Sequence, residues 1–209
     1  MKHIYIVLIK AHTGLGQAAR MFTHYDYTHI AVCTDKSLTD FLTYSRKRHY
    51  LPFDAGFMHE YRDYYAFGQY RRFKAKVFKI PVGDKCYEDI MRFIAQCEND
   101  DKQMFNLFSM ITMPILHGFR IYKAHNCMSF TAKVIELSSV VKMNKPYYKY
   151  SIKDMDKLLS EYVFYEGYLR RIPSPDYPKY MKRPAFSERM QVALYMIFEL
   201  TRRMLFVRI

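Results

Sequence analysis

Two residues in this chain have the type and setting for nucleophilic chemistry. Cys127 follows Asn126, a residue that favours helix N-caps, and opens an apolar run with helical spacing through Phe130 and Val134 to about Ser139. At a helix N-terminus the unpaired N–H groups and the helix dipole stabilise a thiolate, the reactive form of cysteine. His29 lies in the run Thr28–Cys33, whose alternation predicts a strand with Ile30 and Val32 on one face and His29, Ala31 and Cys33 on the other. An imidazole brought to that thiol would activate it and then protonate a leaving group. His24 and His125 flank the pair in sequence and could line a cleft, whereas Cys33 is expected to pack. The remaining histidines (His12, His49, His59 and His117) show no metal-ligand spacing, and the four cysteines form no CxxC pair. Neither a metal site nor a disulfide framework is expected, and no cofactor motif is present. The Thr13-Gly14-Leu15-Gly16 turn is not a phosphate loop, because no Lys-Ser/Thr follows it.

The elements that must carry these residues read as a mixed α+β chain. Ile4–Ile9 is a β-branched apolar stretch of the kind that forms a buried strand, and a short amphipathic helix is expected through Ala18–Phe22. A polar turn at Asp35–Thr39 should join the His29 strand to a second strand at Phe41–Arg46. If that turn centres near Ser37, His29 sits opposite Ser45. Pro52–Glu60 reads as a loop or short strand. Tyr70–Ile80 reads as a strand ended by Pro81-Val82-Gly83, and Asp84–Glu98 as a helix. The strongly apolar Phe105–Leu116 segment follows. Beyond the Cys127 helix, Ser151–Ser160 reads as a short helix with Asp154 in its first turn, and Tyr162–Arg170 as a last core strand. Pro173, Pro175, Pro178 and Pro184 mark residues 171–185 as a linker, and Phe186–Ile209 as a C-terminal amphipathic helix ending in basic residues.

Several short runs resemble the circularly permuted NlpC-type papain-like enzymes, which include YiiX-like proteins and, more distantly, lecithin:retinol acyltransferase-like proteins. Met21–Val32 is similar to their strand entry, and His125-Asn126-Cys127-Met128-Ser129-Phe130 to their cysteine motif. Leu42–Lys47, Ala55–Glu60 and Tyr165-Glu166-Gly167 resemble segments of one bacterial branch. The resemblance covers residues 1–170 and implies a papain-like core in permuted order, with an antiparallel sheet or barrel packed on the cysteine-bearing helix. It implies that Cys127 attacks an amide, ester or thioester carbonyl while His29 relays the proton. In related enzymes a Glu or other polar side chain on the strand after the histidine orients the imidazole. Here that stretch is Thr43-Tyr44-Ser45, without a carboxylate. Ser45 is the expected orienting residue by hairpin register, Tyr44 and Asn126 are expected to support the site, and Glu60 is the nearest carboxylate that could substitute.

Composition bounds the partners. The chain of 209 residues carries 33 Lys+Arg against 20 Asp+Glu, a formal net charge of +13, which favours polyanionic neighbours. The basic residues are scattered in small groups, and no zinc finger, RNP-type motif or basic zipper accompanies them, so a nucleic-acid partner is not expected. No export signal or membrane-length apolar run is read from the sequence. The expected location is therefore the cytoplasm with reduced thiols, with peripheral attachment to an anionic membrane through 186–209 left open. The leading expectation is a thiol hydrolase acting on an amide bond, peptide or cell-wall-like. The alternatives are a lipid or thioester acyl hydrolase or acyltransferase at a membrane surface, or a non-catalytic polyanion-binding protein on the same fold.

Overall fold

The structure, a computed structural model, describes residues 2–12, 20–21 and 24–207. The glycine-bearing turn at 13–16 lies outside those residues, as does the helix expected over 18–22 apart from Arg20 and Met21.

Strand β1 (Lys2–Ile9) is buried on both faces from Ile4 onward, which explains its unbroken apolar run. It pairs antiparallel with β2 (His29–Cys33), with Ile9 opposite His29, and on its other side with β5 (Arg72–Val82). Outside β2 lie β3 (Asp40–Arg48) and then β4 (Leu51–Tyr61); outside β5 lies β8 (Val163–Arg170), so the sheet order is β4-β3-β2-β1-β5-β8. A separate parallel pair, β6 (Met104–Phe105) with β7 (Ala124–His125), leads directly into α4 (Cys127–Ser138). Between β6 and β7 runs α3 (Leu107–Leu116), an uncharged helix exposing Ile111, Ile115 and Leu116. The other helices are α1 (Arg62–Tyr65), α2 (Asp84–Asn99), α5 (Ile152–Leu158), α6 (Tyr177–Tyr180) and α7 (Phe186–Phe206).

Two cores use the two faces of the sheet. Even-numbered residues of β1 (Ile4, Ile6, Leu8) pack with Ile30, Val32, Leu42 and Tyr44 beneath α2, α4 and α7. On the opposite face Val7, Ile9, Phe41 and Phe73 pack with Tyr65 and Ala66. Phe41 and Phe73 sit on strands three steps apart in the sheet order, ~14 Å apart in a flat sheet, yet their ring centroids are 6.5 Å apart. The sheet therefore curls over this face. That curl brings residues of β4 within reach of β2.

The α+β class, the antiparallel sheet packed on the cysteine-bearing helix and the C-terminal helix agree with the sequence reading. Four local expectations need correction. Of the loop and short strand open for residues 52–60, the strand is found, but as the body of a longer 11-residue one; Pro52 is accommodated beside a register irregularity between Arg46 and Arg48, where the ladder is already interrupted. Strand β5 continues through Pro81 to Val82, because β8 stops at Phe78 and leaves that flank of the strand open, where the missing N–H is tolerated. Strand β8 is an exposed edge rather than a core strand, since among the described residues nothing pairs beyond it. The 171–185 segment is docked rather than a free spacer. Ser174 binds the Asp63 carboxylate through its amide at 2.6 Å and its hydroxyl at 3.1 Å, and Tyr180 stacks on Tyr64 with centroids 3.8 Å apart.

Candidate active site

The helix that presents Cys127 is closed at its start by a reciprocal cap. Asn126 Oδ1 accepts the Ser129 N–H at 2.8 Å, and Ser129 Oγ accepts the Asn126 N–H at 3.0 Å. This is why the chain turns into a helix here, and it engages the Asn126 side-chain oxygen. The Cys127 N–H, in the first turn, stays among the donors that no helical carbonyl satisfies. Cys127 itself is half-buried.

His29 is the first residue of β2. Its Nε2 lies 2.7 Å from Glu60 Oε2, with the histidine side chain 13% and the glutamate side chain 4% exposed. The same carboxylate oxygen accepts the Tyr65 hydroxyl at 2.6 Å, and Ser45 also hydrogen-bonds to Glu60. Cys127 lies close enough to the His29 ring for its side chain to help raise the ring's pKa. With Nε2 held by Glu60, Nδ1 is the ring nitrogen left for proton transfer. The chain thus aligns Tyr65, Glu60, His29 and Cys127 in one connected row.

Burial by itself would hold the His29 ring neutral. The Glu60 charge, the hydrogen bond to Cys127 and that to Glu60 outweigh it, and the pKa is raised from 6.5 to about 10. Glu60 moves the other way. Burial would push it up, but the His29 charge and the bonds from His29, Tyr65 and Ser45 hold it below the usual carboxylate range. Tyr65 is pushed well above its ordinary value by burial and by Glu60, so it stays a proton donor. A carboxylate with several donors and an imidazolium beside it is the arrangement that makes a buried pair tolerable.

The residues named from sequence are placed as follows. Cys127 and His29 come together. Ser45 is not the residue that orients His29: the ladder with Val32 opposite Leu42, extended along the strands, does put it across from the histidine, but the ring nitrogen is already taken by Glu60. Ser45 acts one step back, on the carboxylate. Tyr44 does not support the site; it is fully buried on the opposite face of β3, where its hydroxyl donates to Gln103 Oε1 at 2.7 Å. His125 is half-buried against Tyr44, Phe93 and Tyr147, and its pKa is lowered to about 4 by burial and then by Arg120 and Lys133. It packs as a neutral ring. His24 sits exposed in the loop before β2 with φ 48°, and Cys33 is buried in the second core.

Tyr65 escaped the sequence reading, as did the anchors of the loop leading into His29. Tyr27 donates to Glu166 Oε1 at 2.7 Å and Tyr25 to the Asp156 carboxylate, tying residues 25–28 to β8 and α5. Five residues separate Glu60 from Tyr65, and only the turn through α1 reveals that they meet. Among the described residues no group of three or more His, Cys, Asp or Glu is placed to hold a metal ion, and no helix is long and apolar enough to cross a membrane. Comparisons of the chain with protein-family models, with curated proteins and with solved structures give no match.

Proposed function

We propose that the protein is a thiol hydrolase that cleaves an amide bond, peptide or cell-wall-like, with Cys127 as nucleophile, His29 as acid and base, and Glu60 orienting the ring. The observation that carries this reading is the Glu60–His29 pair, with Nε2 held at 2.7 Å, beside Cys127 at a helix start close enough to act on the ring. Family membership in the permuted papain-like group is part of the same proposal.

The steps follow from that geometry. The Cys127 thiolate adds to the carbonyl carbon, and the Cys127 N–H at the helix start donates to the oxygen that becomes negative. The His29 imidazolium gives its proton to the amide nitrogen as the C–N bond breaks, leaving a thioester on Cys127. The neutral ring then takes a proton from water as the water oxygen attacks the thioester; the thiolate leaves and the imidazolium is restored. Glu60 keeps the ring in the orientation and tautomer that each proton transfer needs.

A second reading, in which the acyl group comes from a lipid or a thioester, is favoured by one feature. The uncharged helix α3 lies in the crossover that ends at Cys127 and leaves Ile111, Ile115 and Leu116 exposed. The chemistry at sulfur would be the same; only the group occupying the acyl side differs.

A thiol-directed acyl probe tests the shared claim. Cys127 should react faster than free cysteine, and His29→Ala should remove the advantage. Labelling at the rate of free cysteine, indifferent to His29→Ala, would leave a non-catalytic binding protein on this fold.

A further inference from the structure

The C-terminal helix α7 is apolar on both sides, and only one side is used. Met196 and Leu200 enter the core under the sheet, and the Arg203 guanidinium reaches the carbonyls of Lys102 at 2.8 Å and of Tyr122 and Lys123 at 3.2 Å. A helix docked this way normally turns a polar face outward. Here Met190, Leu194, Phe198 and Leu205, spaced by four, four and seven residues, share the outward face, with Leu194 63%, Phe198 67% and Leu205 64% exposed. An apolar stripe of this length on an already docked helix marks a surface that meets something else.

The charges around the stripe select its occupant. Both acidic residues of α7 are engaged within the protein: Glu188 by Arg48 at 2.7 Å, and Glu199 by Arg202 at 2.6 Å and Arg203 at 2.8 Å. Lys179 and Lys182, exposed just before the helix, have no carboxylate partner among the described residues. A second copy of the chain would bring the same cations and the same net charge of +13 to the contact. An anionic surface is complementary instead, and Tyr195, 63% exposed at the edge of the stripe, has the apolar body and polar tip suited to a headgroup boundary. We propose that the outward face of α7 seats on an anionic phospholipid bilayer, the helix lying along the surface with Met190, Leu194, Phe198 and Leu205 in the acyl boundary and the flanking lysines among the headgroups. The attachment is independent of the thiol chemistry at Cys127 and would stand if that chemistry failed.

The test uses the full chain and two vesicle preparations, phosphatidylcholine alone and phosphatidylcholine with phosphatidylserine, in a co-sedimentation assay at low and high salt. Binding is expected only with phosphatidylserine, and it should weaken as salt rises. The double variant Leu194→Glu/Phe198→Glu changes only exposed positions and should keep the wild-type melting temperature while losing about tenfold or more in partition. Lys179→Gln/Lys182→Gln should weaken binding and flatten its salt dependence. Equal binding to both vesicle types, or binding unchanged in the Leu194/Phe198 variant, overturns the proposal. So does a wild-type dimer in light scattering that the same variant converts to monomer, because a second copy then covers the stripe.

Discussion

Replacing Glu60 by Gln removes one charge from the site while keeping the side chain's shape and an oxygen for the Tyr65 hydroxyl. His29, raised from 6.5 to about 10, holds its proton more strongly than a free imidazole by on the order of 4 kcal/mol. The Glu60 charge is the largest of the effects that raise it. Without that charge, burial, already the largest single influence on the ring, is no longer outweighed, and the ring becomes neutral near pH 7. The lost ion pair should lower stability by about 2–4 kcal/mol, less than a trapped charge would cost because the ring can shed its proton. For a chain of this size that corresponds to a drop in Tm of roughly 5–10 °C. The sign with pH follows from the two shifts. The raised His29 contributes stability that is complete below 6.5 and disappears as pH rises through about 10. The lowered Glu60 contributes above its unfolded value near 4.5 and fades as pH falls through its folded one. The gap between wild type and Glu60→Gln should therefore be widest between about pH 5 and 6.5 and close toward pH 10. Thermal melts across that range measure it. In parallel, acylation of Cys127 by an activated ester near neutral pH, read by peptide mass, should slow by roughly 10²–10⁴-fold. A gap equally wide at both ends of the range, or an unchanged acylation rate, refutes the argument.

Three further substitutions separate the roles of neighbouring residues. Tyr65→Phe removes the hydroxyl donor from Glu60 and should cost about 1–2 kcal/mol; because Glu60 is then held down less firmly, the acid side of the pH–rate profile should move to higher pH. Asn126→Ala breaks the cap that starts the Cys127 helix, with an expected loss of about 1 kcal/mol in chemical denaturation and slower acylation as the first turn frays. Tyr44→Phe leaves Gln103 without its buried partner and should cost about 1 kcal/mol, while the acylation rate of Cys127 stays at the wild-type value. A fall in that rate would return Tyr44 to the site.

What could be read from sequence was local. The start of the Cys127 helix is written in Asn126 and Ser129, a cap that needs only neighbours three residues apart. The face of His29 follows from strict alternation within one strand, and its position opposite Ser45 from the length of a single turn. The 171–185 segment shows the limit of that reasoning. Its prolines were sufficient to predict a break in regular structure, but its docking depends on Tyr180 finding Tyr64 and on Ser174 finding Asp63, residues more than a hundred positions away.

Glu60 marks the same limit inside the site, and there it changes the chemistry. Its strand contains Pro52 and Gly56, which lower the strand propensity of residues 52–60, so the sequence leaves open a loop or a short strand and gives the carboxylate no defined direction. Its ladder partner, Phe41, lies on β3, and nothing in that pairing points to His29. What joins Glu60 to the histidine is the curl of the sheet, which is set by the aromatic core of Phe41, Tyr65 and Phe73 on the concave face. Tyr65 belongs both to that core and to the hydrogen-bond row. The packing that bends the sheet is thus also what delivers the carboxylate and its donor to the imidazole. The hairpin register points to Ser45 as the orienting residue; in the curled sheet that position is filled by Glu60 from the next strand.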